Sequence, residues 1–225
     1  MISFFFSLLH RILPVLLSRP VIKTGNPHQH DTTAVYIANH EGSWGPIAMI
    51  CFFPKKLYPW VLYKLTEKKL CRKHIEEDFI IRELRLLPPW SVILSWLIER
   101  ICLPLMRYLQ VIPVYRSSRN LIKTITASVK CLSQKKSLLI FPEIDDTGEL
   151  YGRIRTFNTG FVNLARIYYR QTGNEIQFIP VAVNKKDGFI RCGEPVNYRS
   201  DTKFLVEKHR IVSHLRKEML NLYHN

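Results

Sequence analysis

Residues 33–46 read Thr33-Ala34-Val35-Tyr36-Ile37-Ala38-Asn39-His40-Glu41-Gly42-Ser43-Trp44-Gly45-Pro46. The first six are β-branched, aromatic or small, which is typical of a buried strand. Pro46 suits the first turn of a helix, where a missing amide hydrogen leaves no bond unmade. This run therefore predicts a strand over residues 33–38, a turn that carries His40, and a helix over residues 47–53.

The same alternation of strand and helix patterns continues along the chain. Strands are predicted at 56–63, 111–115, 137–141, 176–184 and 189–191, the last as a hairpin partner of the strand before it. Helices are predicted at 75–85, 91–109, 121–132, 159–169 and 202–222. We therefore predict an α/β fold, a single layered domain with a mixed, largely parallel sheet flanked by helices.

Composition limits the class of protein. The chain has 225 residues, of which 47% are hydrophobic, so one full-sized core is expected. The formal net charge of +15 calls for an anionic partner, such as a phospholipid surface, a phosphate-bearing coenzyme, an acidic carrier protein or a nucleic acid. The basic residues are scattered in pairs and no nucleic-acid-binding motif is present. We therefore expect no nucleic-acid partner.

The cysteines give no sign of a metal or redox site. Their number, five, is odd, and no two of them form a Cys-x-x-Cys pair. They are interpreted as reduced thiols of a cytosolic protein, and no metal is expected.

The amino-terminal residues 1–22 are the candidate targeting segment. Apolar side chains fill most of the helical circumference, and polar ones recur on a narrow stripe. A helix over residues 2–18 would be roughly 25 Å long, shorter than the hydrocarbon core of about 30 Å. We predict a membrane-interfacial helix at 1–22, a separate domain at 23–225, and a peripheral or monotopic protein on the cytoplasmic face of a membrane. The alternative is a helix packed on the protein's own core.

Four stretches in a fixed order carry a resemblance to a known family. They are Asn39-His40-Glu41-Gly42-Ser43-Trp44-Gly45-Pro46, Ile112-Pro113-Val114-Tyr115-Arg116, Ile140-Phe141-Pro142-Glu143 and Phe178-Ile179-Pro180-Val181. Together they resemble the glycerolipid acyltransferases, in particular the lysophosphatidic acid acyltransferases. The resemblance implies a glycerol-3-phosphate acyltransferase-like fold and transfer of a fatty acyl group to a hydroxyl.

The resemblance also implies roles for residues. His40 would be the base that takes the proton from the acceptor hydroxyl, Glu143 would be its catalytic partner at the acceptor, and Arg116 would clamp a phosphate. The remaining candidates for substrate binding are Asn39, Ser43, Pro142, Arg153, Arg155 and Gly160. For Ser43 a local role is also predicted, in which its hydroxyl accepts a hydrogen bond from a free backbone amide. A nucleophilic role is disfavoured, because Glu41 breaks the Gly-x-Ser-x-Gly pattern.

The chain departs from the family pattern at several positions. Gly45 stands where the family has the Asp that orients the catalytic His. Asp145, Asp146 or Glu143 could supply a surrogate carboxylate, whereas Glu41 is expected to point away. The third motif continues as Ile144-Asp145-Asp146 instead of Gly-Thr-Arg, and Asn158 replaces a lysine. An acceptor other than lysophosphatidic acid is therefore allowed.

The sequence thus predicts a membrane-associated acyltransferase without a cofactor. The acyl donor would be acyl-CoA or acyl carrier protein, and the acceptor a lysophospholipid or a related lipid. The alternative is a catalytically impaired homologue that acts as a lipid-binding or scaffolding protein. A carboxylate beside His40 would favour the enzyme, and an apolar wall there would favour the scaffold.

Overall fold

The computed structural model describes residues 21–24, 32–82, 84–115, 118–144, 150–151 and 154–224. Contacts divide them into two compact units. The first is Tyr58–Thr124, and the second combines the described residues up to Leu57 with those from Ile125 onward. Residues 1–20 lie outside the described ranges. The interfacial helix and the domain boundary after residue 22 therefore stay predictions.

Ten strands and six α-helices are present in the described ranges. The strands are β1 (Val21–Thr24), β2 (Ala34–Ala38), β3 (Leu57–Leu62), β4 (Ile112–Val114), β5 (Ser137–Ile140), β6 (Leu150–Tyr151), β7 (Ile154–Arg155), β8 (Gln177–Asn184), β9 (Phe189–Cys192) and β10 (Val196–Asn197). The helices are α1 (Trp44–Phe52), α2 (Lys68–His74), α3 (Trp90–Leu109), α4 (Ser118–Ser133), α5 (Asn163–Thr172) and α6 (Phe204–His224).

The sheet of the second unit has the strand order β1-β9-β8-β2-β5. β2 runs parallel to both of its neighbours, β5 and β8, and β1 runs parallel to β9. β9 and β10 are both antiparallel to β8. The predicted mixed, largely parallel sheet is confirmed, as is the hairpin of β8 with β9.

Helices cover both faces of this sheet. All five residues of β2 are fully buried, which requires packing on each side. On one face Tyr36 belongs to a core cluster that includes Ala48 and Met49 of α1. On the other, Ala182 of β8 packs with Tyr223 of α6. The α/β class is therefore confirmed.

The first unit has its own small core. β3 and β4 are parallel and pair Trp60 with Ile112. Cys71, Ile75 and Ile80 form the core cluster against one side of α3. The helix predicted at 75–85 differs from the structure, because α2 begins at Lys68 and continues as a π-helix over Ile75–Ile81. No helix of the described residues is long and apolar enough to cross a bilayer.

All five cysteines are free thiols. Burial raises the pKa of Cys131 to about 11 and that of Cys192 to about 12. Both are therefore protonated near neutral pH.

A buried carboxylate anchors the start of α6. Glu207 is completely buried and accepts hydrogen bonds from Arg210 Nε at 2.8 Å and from the Arg199 backbone amide at 2.8 Å. Arg210 Nη2 also donates to the Asn197 carbonyl. Burial raises the pKa of Glu207, but the hydrogen bonds from Arg210 and Arg199 outweigh it, so the pKa is lowered overall. The ionised form therefore stabilises the fold.

Glu207→Ala should lower the free energy of unfolding by about 3 kcal/mol, because Arg210 loses its partner. Since the folded-state pKa lies below that of the unfolded chain, this contribution is present above the ordinary glutamate pKa and disappears as pH falls through the folded value. Urea denaturation near neutral pH and in acid would measure both effects. Asp201→Ala, at an exposed carboxylate, is the control. Equal stability of the two variants near neutral pH would contradict the expectation.

Candidate active site

The candidate site lies at the carboxyl ends of two adjacent parallel strands. Ile37 of β2 is paired with Ile140 of β5. His40 and Glu143 each follow this pair by three residues, so the register brings the first and third motifs together. Ligands of open α/β sheets typically bind at this edge, outside the carboxyl ends of the strands.

Asn39 fixes the start of the loop that follows β2. Its side chain is almost fully buried. Its Nδ2 donates to the Val183 carbonyl at 2.8 Å, and its Oδ1 accepts from the Val183 amide at 2.7 Å. The side chain therefore acts as one more rung between β2 and β8, and a contact of Asn39 with substrate stays a prediction.

The imidazole of His40 is oriented by a backbone carbonyl. Its Nδ1 is hydrogen-bonded to the Gly42 oxygen. Because a carbonyl oxygen can only accept, Nδ1 carries the proton, and in the neutral ring Nε2 holds the lone pair. The ring is exposed and packs edge-on against Phe141, with centroids 5.3 Å apart. This is the tautomer that a general base needs.

Gly45 lies in the first turn of α1, against the backbone of His40. Its amide donates to the His40 carbonyl at 3.0 Å. A Cβ added here would lie 2.6 Å from the Asn39 oxygen and closer still to the His40 oxygen. The obstacle is steric, because Gly45 is not among the residues with positive φ. The loop has no room for the family's Asp at this position.

Glu41 points away from the imidazole, as the sequence predicted. Its carboxylate accepts from the Lys185 amide at 2.9 Å and from the Tyr223 hydroxyl at 3.1 Å. Glu41 and Gly42 have φ of 40° and 62°. The left-handed pair turns the Gly42 carbonyl back toward His40, and the contacts of the Glu41 carboxylate stabilise this unusual backbone.

The carboxylate of Glu143 accepts hydrogen bonds from backbone amides and not from the imidazole of His40. One carboxylate oxygen accepts from the His40 amide at 2.8 Å, and the other accepts from the Arg155 amide at 3.1 Å. Glu143 is therefore close to His40, yet Nδ1 of His40 has a carbonyl as its partner. The side chain positions the His40 loop, and its catalytic contact with an acceptor stays a prediction.

The other predicted residues are partly placed. Ser43 precedes α1 and is exposed, but its hydroxyl makes no capping hydrogen bond, so the predicted local role is wrong. Pro142 is buried, and its carbonyl accepts from the Asn158 amide at 2.7 Å. The Gly160 amide donates to the Asn158 side chain at 2.9 Å. Asn158 thus starts a helical turn at the position where the family has a lysine.

Four candidates lie outside the described residues, namely Arg116, Asp145, Asp146 and Arg153. The phosphate clamp and the surrogate carboxylate therefore stay predictions. Within the described ranges no group of His, Cys, Asp or Glu could hold a metal ion.

Sequence reasoning missed two elements of the site. One is the Gly42 carbonyl, whose only signal was the glycine itself, which tolerates positive φ. The other is Lys185, which follows β8 and holds its ammonium 6.0 Å from the Trp44 ring centroid. This places a cation beside the loop that carries His40.

Comparison with known proteins agrees with the motifs. Residues 89–184 match the family model described as Acyltransferase. This confirms the predicted resemblance to a glycerolipid acyltransferase family over the segment with the second, third and fourth motifs. The match supports an acyltransferase activity, although His40 lies outside the matched segment.

The chain is similar to solved structures. Among them is the 1-acyl-sn-glycerophosphate (LPA) acyltransferase PlsC from Thermotoga maritima, with 13% sequence identity and a TM-score of 0.49. The alignment covers 96% of this chain and 77% of that chain. No curated protein matches the sequence.

Gly45→Ala and Gly45→Asp should each lower the free energy of unfolding by about 1–3 kcal/mol, because their Cβ displaces the His40 backbone. We expect no gain in acyl transfer from the aspartate. Thermal melting and turnover would be measured together. Gly173→Ala is the control for a glycine replaced outside the site: its Cβ meets no atom, but its positive φ strains the backbone, so it should lower stability without lowering turnover. A Gly45→Asp variant with higher turnover would contradict the steric argument.

Glu143→Gln should lower stability by about 1–3 kcal/mol, because one of the two amide donors then faces an NH2 group. Displacement of the His40 loop should lower turnover as well. Glu175→Gln is the matched control, because Glu175 also accepts from a backbone amide, that of Ser200, at 3.0 Å. If both variants melted and turned over alike, Glu143 would have no special role in positioning His40.

Proposed function

We propose that the protein is a membrane-associated O-acyltransferase that uses His40 as its general base. The observation that carries this proposal is the hydrogen bond from Nδ1 of His40 to the Gly42 carbonyl, which leaves Nε2 ready to accept a proton. His40 is exposed at the carboxyl ends of parallel strands, where a substrate has access. The match of residues 89–184 to the acyltransferases supports the reaction class.

The reaction would proceed by direct transfer. Nε2 of His40 takes the proton of the acceptor hydroxyl as its oxygen attacks the thioester carbonyl of the donor. The tetrahedral intermediate then expels the thiolate of coenzyme A or of the carrier protein's prosthetic arm. The imidazolium returns its proton to that thiolate. The products are an ester and a free thiol, and the chain needs no cofactor of its own.

The carbonyl partner sets how strong this base is. In a serine protease, replacing the orienting Asp costs about 10⁴ in rate, largely because the wrong tautomer forms. Here the Gly42 carbonyl keeps the right tautomer, but it carries only a partial negative charge to stabilise the imidazolium. We therefore expect slower transfer than a carboxylate would give, yet well above the rate without a base.

The basic residues predicted from the motifs, together with Lys185, support an anionic acceptor. Lys185 lies at its edge, and Arg116, Arg153 and Arg155 are the proposed contacts with phosphate. A lysophospholipid or related lipid is the proposed acceptor, and acyl-CoA or acyl carrier protein the donor. Asp145 and Asp146 stand where the family has a basic turn, which favours an acceptor other than lysophosphatidic acid.

The membrane is the proposed partner surface. The net charge of +15 favours attraction to the anionic cytoplasmic leaflet. The apolar residues 1–22 would add burial in the lipid interface. The charge attraction and the apolar burial together would hold a peripheral or monotopic enzyme next to lipid substrates.

A second candidate function is favoured by the Gly45 packing. A loop built so tightly around glycine, in which the imidazole bonds to a carbonyl among the described residues, also suits a homologue that binds or scaffolds lipids without transferring acyl groups. Such a protein would bind lysophospholipid with or without His40. Labelled acyl donor and a panel of hydroxyl-bearing lipids, followed by lipid extraction, would separate the two functions.

His40→Ala should lower turnover by about 10² to 10⁴, the usual range for general-base assistance, while the melting temperature stays close to that of the wild type. His209→Ala is the matched control, because His209 is exposed on α6, outside the site. Product formation from labelled acyl donor is the measurement. Unchanged turnover would remove His40 from the mechanism, and absence of transfer by the wild type would favour the scaffold.

A further inference from the structure

The inner face of α3, which packs on the core of the first unit, combines polar and apolar side chains. The buried side chains in the middle of its inner face are polar, namely Ser91, Ser95 and Glu99. Ser91 donates to the Glu76 carboxylate at 3.1 Å, and Ser95 donates to the Val92 carbonyl at 2.9 Å. Partly buried apolar side chains pack beside them against the core cluster of the first unit, namely Leu94, Ile98 and Cys102.

The opposite side of α3 is apolar and exposed. Trp90, Ile93, Leu97 and Ile101 recur at intervals of three and four residues, so they form one stripe. Leu87, which is 69% exposed, extends the stripe into the preceding turn. These five residues constitute what we call the α3 outer face.

The size of this surface requires an explanation. Trp90 alone is 67% exposed, and Ile93, Leu97 and Ile101 are each about half exposed. Leu84 and Leu86 before the helix are exposed as well. Single exposed apolar residues are ordinary, but a continuous stripe of large ones marks a surface that binds something apolar.

Charge decides which apolar partner fits. α3 contains one acid, Glu99, and it is buried, whereas both of its arginines, Arg100 and Arg107, are exposed. The Arg100 guanidinium lies over the Trp96 ring, 4.1 Å from its centroid. Helical spacing places Trp96, Arg100 and Arg107 in a second stripe beside the outer face. An apolar stripe bordered by cations and tryptophan suits the headgroup region of an anionic bilayer.

We propose that the α3 outer face docks the protein on an anionic phospholipid surface. α3 lies along that surface, with Trp90, Ile93 and Leu97 in the acyl boundary and Arg100 and Arg107 at the lipid phosphates. Ser91 bonds to Glu76, and Leu94 and Ile98 pack on the core of the first unit, so α3 stays attached to that unit, lies in the interface and does not span. The proposal names a docking surface for the proposed membrane-associated function, and it is additional to residues 1–22.

The test uses vesicle sedimentation with the full chain and equimolar phosphatidylcholine and phosphatidylglycerol. Trp90→Glu and Leu97→Glu should each weaken partitioning by at least about tenfold. Each replaces an apolar group that would enter the bilayer by an anion that faces lipid phosphate. Binding of the wild type to phosphatidylcholine alone should also be weaker. Leu205→Glu is the matched control, because Leu205 is 69% exposed on α6 of the other unit, and it should bind like the wild type.

A second measurement locates the tryptophan in the bilayer. Brominated acyl chains should quench the fluorescence of the wild type, and Trp90→Phe should remove a clear part of that quenching while partitioning stays unchanged. Partitioning that is equal for Leu97→Glu and Leu205→Glu would overturn the proposal. It would also be overturned if Leu97→Glu dissociated an oligomer in sedimentation velocity and left vesicle binding intact, since a second copy would then cover the face.

Vesicle binding needs no acyl transfer, so the docking proposal and the proposed reaction fail in different experiments. A docking variant such as Leu97→Glu should still acylate a detergent-dispersed acceptor at the wild-type rate, whereas His40→Ala should bind vesicles normally and transfer acyl groups about 10² to 10⁴ times more slowly. Loss of binding in the His40 variant would show that the first unit does not dock independently of the site.

Discussion

The close approach of Gly45 to the backbone of residues 39 and 40 is the constraint on which the site depends. The Cα of Gly45 sits where a side chain would overlap the carbonyls of Asn39 and His40, and its amide is bonded to the latter. This contact lets α1 start immediately beyond the turn, so that Ala48 and Met49 reach the core beside Tyr36. Asn39 secures the same turn from the other side by bonding both polar groups of Val183. The position of His40 is thus set by backbone packing. A side chain at residue 45 would shift the backbone of the loop and thereby move the imidazole.

The carboxylates of this site accept hydrogen bonds from backbone amides, whereas the imidazole of His40 is bonded to a backbone carbonyl. Glu41 and Glu143 both accept main-chain amides, those of Lys185, His40 and Arg155, so their negative charge is engaged in holding loops. The imidazole receives the Gly42 carbonyl instead. A carbonyl fixes the tautomer as firmly as a carboxylate but stabilises imidazolium less, because it lacks a full charge. In the proposed reaction, the absence of the motif Asp therefore affects the strength of the base more than its geometry.

The sequence predicted the strands and helices that have a continuous hydrophobic pattern. It missed those that form only through contacts with other parts of the chain. β2 and β8 are continuous buried runs, and both were located within one or two residues. β1 and β10 have two to four residues and exist through pairing with β9 and β8, which no local pattern reveals. α2 was missed because Lys68–His74 is mostly basic and contributes only Cys71 to the core. In the site, proximity of His40 and Glu143 followed from strand ends in register. The contact of the Gly42 carbonyl with the imidazole could not be predicted in this way, because the direction of the carbonyl depends on the φ angles of Glu41 and Gly42.

α3 shows how periodicity can locate a helix and still leave its orientation open. The same spacing that predicted residues 91–109 is compatible with either face turned inward, because burial of a polar stripe is permitted wherever partners satisfy it. Here Glu76 accepts from Ser91, the serine at 95 bonds within its own turn, and Leu94 and Ile98 pack on the core cluster beside them. The stripe from Trp90 to Ile101 then has no core left to enter. Water is a poor environment for that stripe, which is the physical basis of the proposed contact with an apolar phase.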